Sequence, residues 1–198
     1  MYVRSLEAFF QRSHIFRLLL LGIVLLGIPV TSNAHDGNLA AMQIRKLEHQ
    51  VWVYEVMTPL HSLDQSMRSF NADRAEQLAA IEVGSIEYKQ EIVAHIKQGF
   101  NIQVSGFDTD GNAVTSRELS LGQGRISLGD HLSTLIFEIK GMPERVDELS
   151  FYLNNMSNNP KQTNLLRLIE GDRQTRYSLH SENNFSGVDR GFFRDHSL

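Results

Sequence analysis

The sequence predicts a mainly β protein, a two-layer antiparallel sandwich with a short helical insertion. Three observations carry that expectation. About eight short β-type runs, several alternating with period two, are joined by turns rich in Gly, Asn, Asp and Pro. Helical periodicity is confined mostly to residues 70–98. Cysteine is absent, so packing alone must hold the layers together, with no disulfide or thiolate metal site.

Residues 1–34 have the build of a signal peptide. Arg4, Arg12 and Arg17 supply a positive start, residues 18–28 an apolar run, and Pro29 its end. That run is roughly a dozen residues long, short of the roughly twenty a membrane span requires. Ser32 and Ala34 satisfy the small-x-small rule, so cleavage is expected after Ala34, with His35 becoming the first residue of a periplasmic or secreted protein. No second apolar stretch follows, and the mature form is expected to be soluble, without a transmembrane segment.

Removing the leader takes three of the 19 basic residues and one (Glu7) of the 23 acidic ones. The remaining 16 against 22 give a formal charge of −6. Phosphate binding needs clustered Lys and Arg, and the linear sequence shows neither the sign nor a stripe, so no nucleic-acid partner is expected.

Taken in order, residues 40–47 and 51–57 form two β-type runs close enough for a hairpin. In the second, Trp52, Tyr54 and Val56 share one face and Val51, Val53 and Met57 the other, which predicts a central strand covered on both sides. Trp52, the only tryptophan, is expected in the core. Residues 62–71 are ambiguous, irregular or one or two helical turns. Asn71 is placed to cap a helix reaching about Ile81. A stronger helix is expected over residues 86–98, with Ser85 as cap, Tyr88, Ile92, Val93 and Ile96 as its apolar stripe, and Gly99 as its stop.

Residues 100–107 alternate, and Asp108-Thr109-Asp110-Gly111-Asn112 turns the chain into a strand over 113–121, the clearest hairpin in the sequence. Gly122-Gln123-Gly124 loosens the chain before the alternating run 132–140. Pro143 interrupts, residues 146–153 resume the β pattern, and residues 154–160 form a polar loop. Strands over 165–169 and 174–180 flank a turn at Glu170-Gly171-Asp172-Arg173. The domain is thus expected over 35–182, with a loose tail over 183–198 whose Phe185, Phe192 and Phe193 dock back on the domain.

Chemistry-bearing patterns are few. A free amine and imidazole on His35 could chelate copper or nickel, with His49, His61, His95, His131, His180 and His196 as further donors at no diagnostic spacing. Asp108-x-Asp110-x-Asn112 opens like a calcium loop, but Ala113 stands where the turn glycine belongs and Leu119 where the bidentate glutamate belongs, so a hairpin turn is expected. No Gly-x-Ser-x-Gly elbow occurs, Gly122-x-Gly124 lies between strands rather than before a helix, and the pairs Asp147/Glu148 and Asp108/Asp110 fall in turns. A non-enzymatic role is therefore expected.

Three segments resemble a pattern shared by two bacterial groups: Val146-Asp147-Glu148-Leu149-Ser150-Phe151-Tyr152-Leu153-Asn154-Asn155, Pro160-Lys161-Gln162-Thr163-Asn164-Leu165-Leu166-Arg167-Leu168 and Gly171-Asp172-Arg173-Gln174-Thr175-Arg176-Tyr177-Ser178-Leu179. One group comprises small exported domains of unknown function. The other is the extracytoplasmic amino-terminal domain of HupE/UreJ-type proteins, which are associated with nickel handling. The resemblance extends to Ala34-His35 leading into a hairpin and to the helix at 88–97 feeding a strand through Gly99. It implies an immunoglobulin-like sandwich outside the membrane and no catalytic residue. The expected function is that of an exported binding or accessory protein of the cell envelope, contacting a membrane or envelope partner through loop 154–160 or the Phe192-Phe193 tail. The alternative is a periplasmic copper- or nickel-binding protein using His35.

Overall fold

The computed structural model describes residues 39–154, 156 and 163–194. The expected signal peptide, His35, His196 and most of loop 154–160 lie outside the described residues.

The fold is mainly β and has two sheets. The strands are β1 (Leu39–Lys46), β2 (Trp52–Thr58), β3 (Asn101–Phe107), β4 (Ala113–Glu118), β5 (Ser120–Ser127), β6 (Ser133–Lys140), β7 (Arg145–Tyr152), β8 (Thr163–Glu170), β9 (Arg173–Leu179) and β10 (Ser186–Arg190). Six of them form one sheet in the order β5-β6-β2-β1-β8-β9, and four form the other in the order β10-β7-β3-β4. Every pairing is antiparallel except β1 with β8, which run parallel from Leu39↔Thr163 to Lys46↔Glu170. This corrects the expectation of a wholly antiparallel fold: β8 follows β7 of the other sheet and enters beside β1 in the same direction.

The period-two pattern decides which face is buried. Met42 and Ile44 of β1, Trp52, Tyr54 and Val56 of β2, Leu135 and Phe137 of β6, and Leu166 and Leu168 of β8 share one buried cluster with Ile102, Val104, Leu149 and Phe151 of the four-stranded sheet. Phe151 of β7 meets Tyr177 of β9 edge to face, with ring centres 5.0 Å apart, so the two sheets contact each other directly. Strand β2 is central, as its composition predicts, but only one of its faces is fully buried. Val53, Glu55 and Met57 are half-buried and Val51 is exposed.

Residues 60–70 form a full helix, α1 (Leu60–Phe70), where the sequence is ambiguous. Burial of Leu63 and Met67 explains it, since tertiary packing of an apolar stripe stabilises a helix that lacks strong caps. Asn71 closes this helix rather than opening the next, its side-chain amide donating to the Met67 carbonyl at 2.9 Å. The expected helix to Ile81 shrinks to a 3-10 turn and a short α2 (Ala75–Ala79). The stronger helix α3 (Ile86–Gln98) begins at Ser85, whose hydroxyl accepts the Tyr88 N–H at 3.1 Å, and its stripe buries Tyr88, Ile92 and Ile96.

The expected strand 113–121 is two strands in different sheets. Strand β4 pairs with β3, β5 pairs with β6, and the single residue between them, Leu119, is buried and donates its N–H to the Ile102 carbonyl at 2.9 Å. Gly122-Gln123-Gly124 is a register shift inside β5 rather than a loose linker. Gly124 is required there because a Cβ would stand 2.4 Å from the Phe137 ring. The expected loose tail also gives way to structure: β10 pairs with β7 from Ser186↔Tyr152 to Arg190↔Glu148, while Phe185 and Phe193 are buried. Phe193 sits edge-on to Trp52, 4.6 Å between ring centres. These aromatics therefore dock within the chain, Phe185 and Phe193 buried and Phe192 half-buried against the core.

Candidate functional site

The alternation that buries Met42, Ile44, Leu166 and Leu168 turns the intervening side chains to the outer face of the six-stranded sheet. The registers align one row across all six strands: Arg125 of β5 opposes Ile136 of β6, Ile136 opposes Glu55 of β2, and Glu55 opposes Gln43 of β1. Gln43 in turn opposes Arg167 of β8, and Arg167 opposes Arg176 of β9. Arg45, two residues along β1, stands on the same face.

Gln43 organises the middle of the row and is only 4% exposed. Its Nε2 donates to Glu55 Oε2 at 2.8 Å, and its Oε1 accepts from Arg45 Nη2 at 3.2 Å. Arg45 Nη2 is 3.9 Å from Glu55 Oε2. On the other side of Gln43 the row changes character. The Nε of Arg167 is buried without a hydrogen-bond partner, as is that of Arg45. A buried donor left unpaired costs about 1–3 kcal/mol, more when it is charged.

Among the described residues, seven arginines hold a carboxylate within 4.0 Å. Arg117 donates to the Gly141 carbonyl. The other three, Arg125, Arg167 and Arg176, have no such partner and all stand on this one row. Arg125 stands on the edge strand β5, whereas Arg167 and Arg176 are neighbours at the opposite end of the sheet, where adjacent positive charge opposite in sign to the domain's net charge favours an anion. Beside Arg45 the face opens into a groove of about 450 Å³ between the ends of β1 and β8, lined by Arg45, Lys46, Leu47, Glu48, Ile169, Glu170 and Gly171. Two of its lining residues, Lys46 and Glu170, form an ion pair of 3.1 Å.

A second concavity, of about 290 Å³, lies at the helical end and is lined by Leu60, His61, Asp64, Val83, Tyr88 and Asp130. Its central carboxylate is committed: Asp64 accepts a bidentate pair from Arg68 at 2.8 and 3.0 Å and the Tyr88 hydroxyl at 3.0 Å. Burial, and then the bond to Asp64, push the Tyr88 hydroxyl well above the usual phenol range. These groups tie α1 to α3 and are fixed structurally rather than poised to move a proton.

His35 lies outside the described residues, so its expected metal site acquires no geometry. Of the other histidines, His61 opens α1 with Nε2 3.3 Å from the Ser62 hydroxyl, and His131 lies in the loop before β6. His95 is a buried core residue, with Nε2 3.2 Å from the Ser66 hydroxyl and its ring edge-on to Phe70. His180 enters the 3-10 turn before β10, and His49 lies in the turn between β1 and β2. Among the described residues no three His, Asp or Glu side chains converge as a metal would require. Asp108 is a turn organiser: its Oδ1 accepts the Asn112 and Asp110 N–H groups at 2.8 and 3.0 Å, which holds its carboxyl below the usual range.

The arginine row escapes a linear reading because its members come from separate strands. One signal was present: Arg167 interrupts the apolar run Leu165-Leu166-Arg167-Leu168-Ile169, on the phase opposite to the buried Leu166 and Leu168. No protein-family model matches the chain, and no curated protein matches it. The fold and this face define the class: a mainly β, two-sheet domain with a basic stripe on its larger sheet.

Proposed function

We propose that the chain is an exported, non-enzymatic binding protein, an immunoglobulin-like β-sandwich acting in the cell envelope as an accessory subunit of a membrane or envelope protein. The observation that carries this reading is the row Arg125, Arg167 and Arg176, three arginines without a carboxylate partner on one sheet face of an acidic domain. Supporting it is the contrast with the helical-end cleft, where Asp64 is engaged by Arg68 and Tyr88. Export rests on the leader sequence, and the immunoglobulin-like character on the sheet pair with its short strands and sheet-switching connection at Leu119.

Mild crosslinking of intact cells followed by purification tests the reading. A discrete crosslinked envelope protein is expected, with mass spectrometry giving an amino terminus at His35. Recovery of the chain only as an uncrosslinked monomer, or with residues 1–34 still attached in the cytosol, refutes it.

A further inference from the structure

We propose that the outer face of the six-stranded sheet, from Arg176 through Arg167 and Gln43 to the groove beside Arg45, docks an acidic segment of a partner protein, with carboxylates taken by the arginines and an aliphatic side chain by the groove. The inference rests on the binding role proposed above and names the partner's chemistry.

The face already displays the interaction it would repeat. On one side of Gln43 a carboxylate is in place: Glu55 Oε2 accepts from Gln43 Nε2 at 2.8 Å and stands 3.9 Å from Arg45 Nη2. On the other side, Arg167 directly opposes Arg176, and among the described residues no acidic side chain pairs with either. Arg167 also keeps a buried Nε without an acceptor. That nitrogen is closed to a docking ligand, but Arg176 is exposed and Arg167 half-buried, and the remaining guanidinium donors of the pair suit a planar anion such as a carboxylate. Two adjacent arginines accept two carboxylates, or one bridging them.

The rest of the face selects protein over the other polyanions. The groove beside Arg45 adds Leu47, 43% exposed, and Ile169 to the charged stripe, a lining that suits an aliphatic neighbour of an acidic residue. The side chains flanking the row include the aliphatic Val53, Met57, Leu165 and Ile169, and among the described residues the registers place no aromatic ring beside it on which a base could stack, as single-stranded nucleic-acid sites use. Glu55 and Glu138 share this face and would repel a continuous phosphate backbone while leaving room for separated carboxylates.

The test is fluorescence anisotropy of the purified full chain with a labelled peptide alternating Glu and Leu, run beside a Lys-for-Glu peptide, an oligonucleotide and phosphatidylglycerol vesicles. The Glu peptide is expected to bind in a salt-sensitive manner, with affinity falling about tenfold in Arg167→Gln and in Arg176→Gln as a charge-assisted pair is lost. Arg176→Glu guards against misfolding as an explanation: it supplies Arg167 with an internal acid, so its melting temperature should not fall while Glu-peptide binding is abolished. Equal binding of the Glu and Lys peptides, binding unchanged in Arg176→Glu, or tighter Arg167-dependent binding of the oligonucleotide or vesicles would each overturn the proposal. An envelope partner crosslinked undiminished by the Arg176→Glu chain overturns the docking face and leaves the binding role standing. Absence of any crosslinked partner for the unsubstituted chain removes both.

Discussion

Arg167 and Arg176 face each other across β8 and β9, two like charges in direct register on neighbouring antiparallel strands. Side chains so placed lie about 5 Å apart at Cβ, and like charges there destabilise a sheet by up to about 1 kcal/mol. Arg176→Glu should reverse the sign and raise stability by roughly 0.5–1 kcal/mol, or about 1–4 °C in melting temperature for a domain of this size. Added salt should raise the melting temperature of the parent more than that of the variant, since it screens repulsion in one and attraction in the other. Thermal melts at low and high ionic strength measure both effects. A variant less stable than its parent at low salt would show that the pair is neutralised in some other way.

Trp52 and Phe193 make the carboxy-terminal segment part of the core, at 3% and 2% exposure. Deleting a buried aromatic ring costs about 3 kcal/mol or more, and Phe193→Ala should do so. As Trp52 is the only tryptophan, its emission reports the loss directly, shifting to longer wavelength as water reaches the indole in the native state. An unshifted spectrum in a destabilised variant would mean that Phe193 packs elsewhere.

Tyr177 of β9 donates its hydroxyl to Asp189 of β10, joining the edges of the two sheets, and Asp189 Oδ2 also accepts the Phe192 N–H at 3.1 Å. Burial first, then the bond to Asp189, push the Tyr177 hydroxyl from 10.0 up to about 12. The folded state therefore holds this proton after the unfolded chain has released it. The resulting stabilisation is fully present below pH 10 and falls away as pH rises from 10 through about 12. Tyr177→Phe should cost on the order of 1 kcal/mol at neutral pH by leaving Asp189 short of a donor, and it should flatten that alkaline segment of the stability profile. Denaturant melts across the alkaline range check this. An identical slope in both proteins would remove Tyr177 from the titration.

The strands with clean alternation were legible because one physical fact, burial of one face, writes itself into the sequence every second residue. Strands β3 and β6 are examples, and α3 was equally plain because Ser85 caps it and Gly99 ends it. What the sequence hid depended on distant partners. Helix α1 is held by the burial of Leu63 and Met67 rather than by its own signals, and β4 parts from β5 at Leu119 because the two halves pair with different sheets. The turn-rich stretch 183–186 reads as a tail, yet Asn184 and Phe185, both at positive φ, turn the chain so that β10 can pair with β7. The arginine row is the extreme case, since it exists only once five registers are fixed.

Gly106 and Gly111 separate two reasons for keeping a glycine within one hairpin. Gly111 sits in the turn at φ +79° with nothing within 4 Å of where a Cβ would stand, so Gly111→Ala meets only the left-handed backbone penalty, about 1–2 kcal/mol. Gly106 lies in β3 at the register shift against both β4 and β7, where a Cβ would fall 1.8 Å from the Arg145 carbonyl oxygen. That neighbour is backbone of a paired strand and cannot swing aside as a side chain would. Gly106→Ala must therefore force β3 and β7 apart, and overpacking costs about 1–3 kcal/mol, with a rigid backbone neighbour placing this site at the upper end. The pair of variants should rank Gly106→Ala well below Gly111→Ala in denaturant midpoint. Equal midpoints would show that β3 relaxes its register at little cost, and that the bulge is not what sets the spacing of the four-stranded sheet.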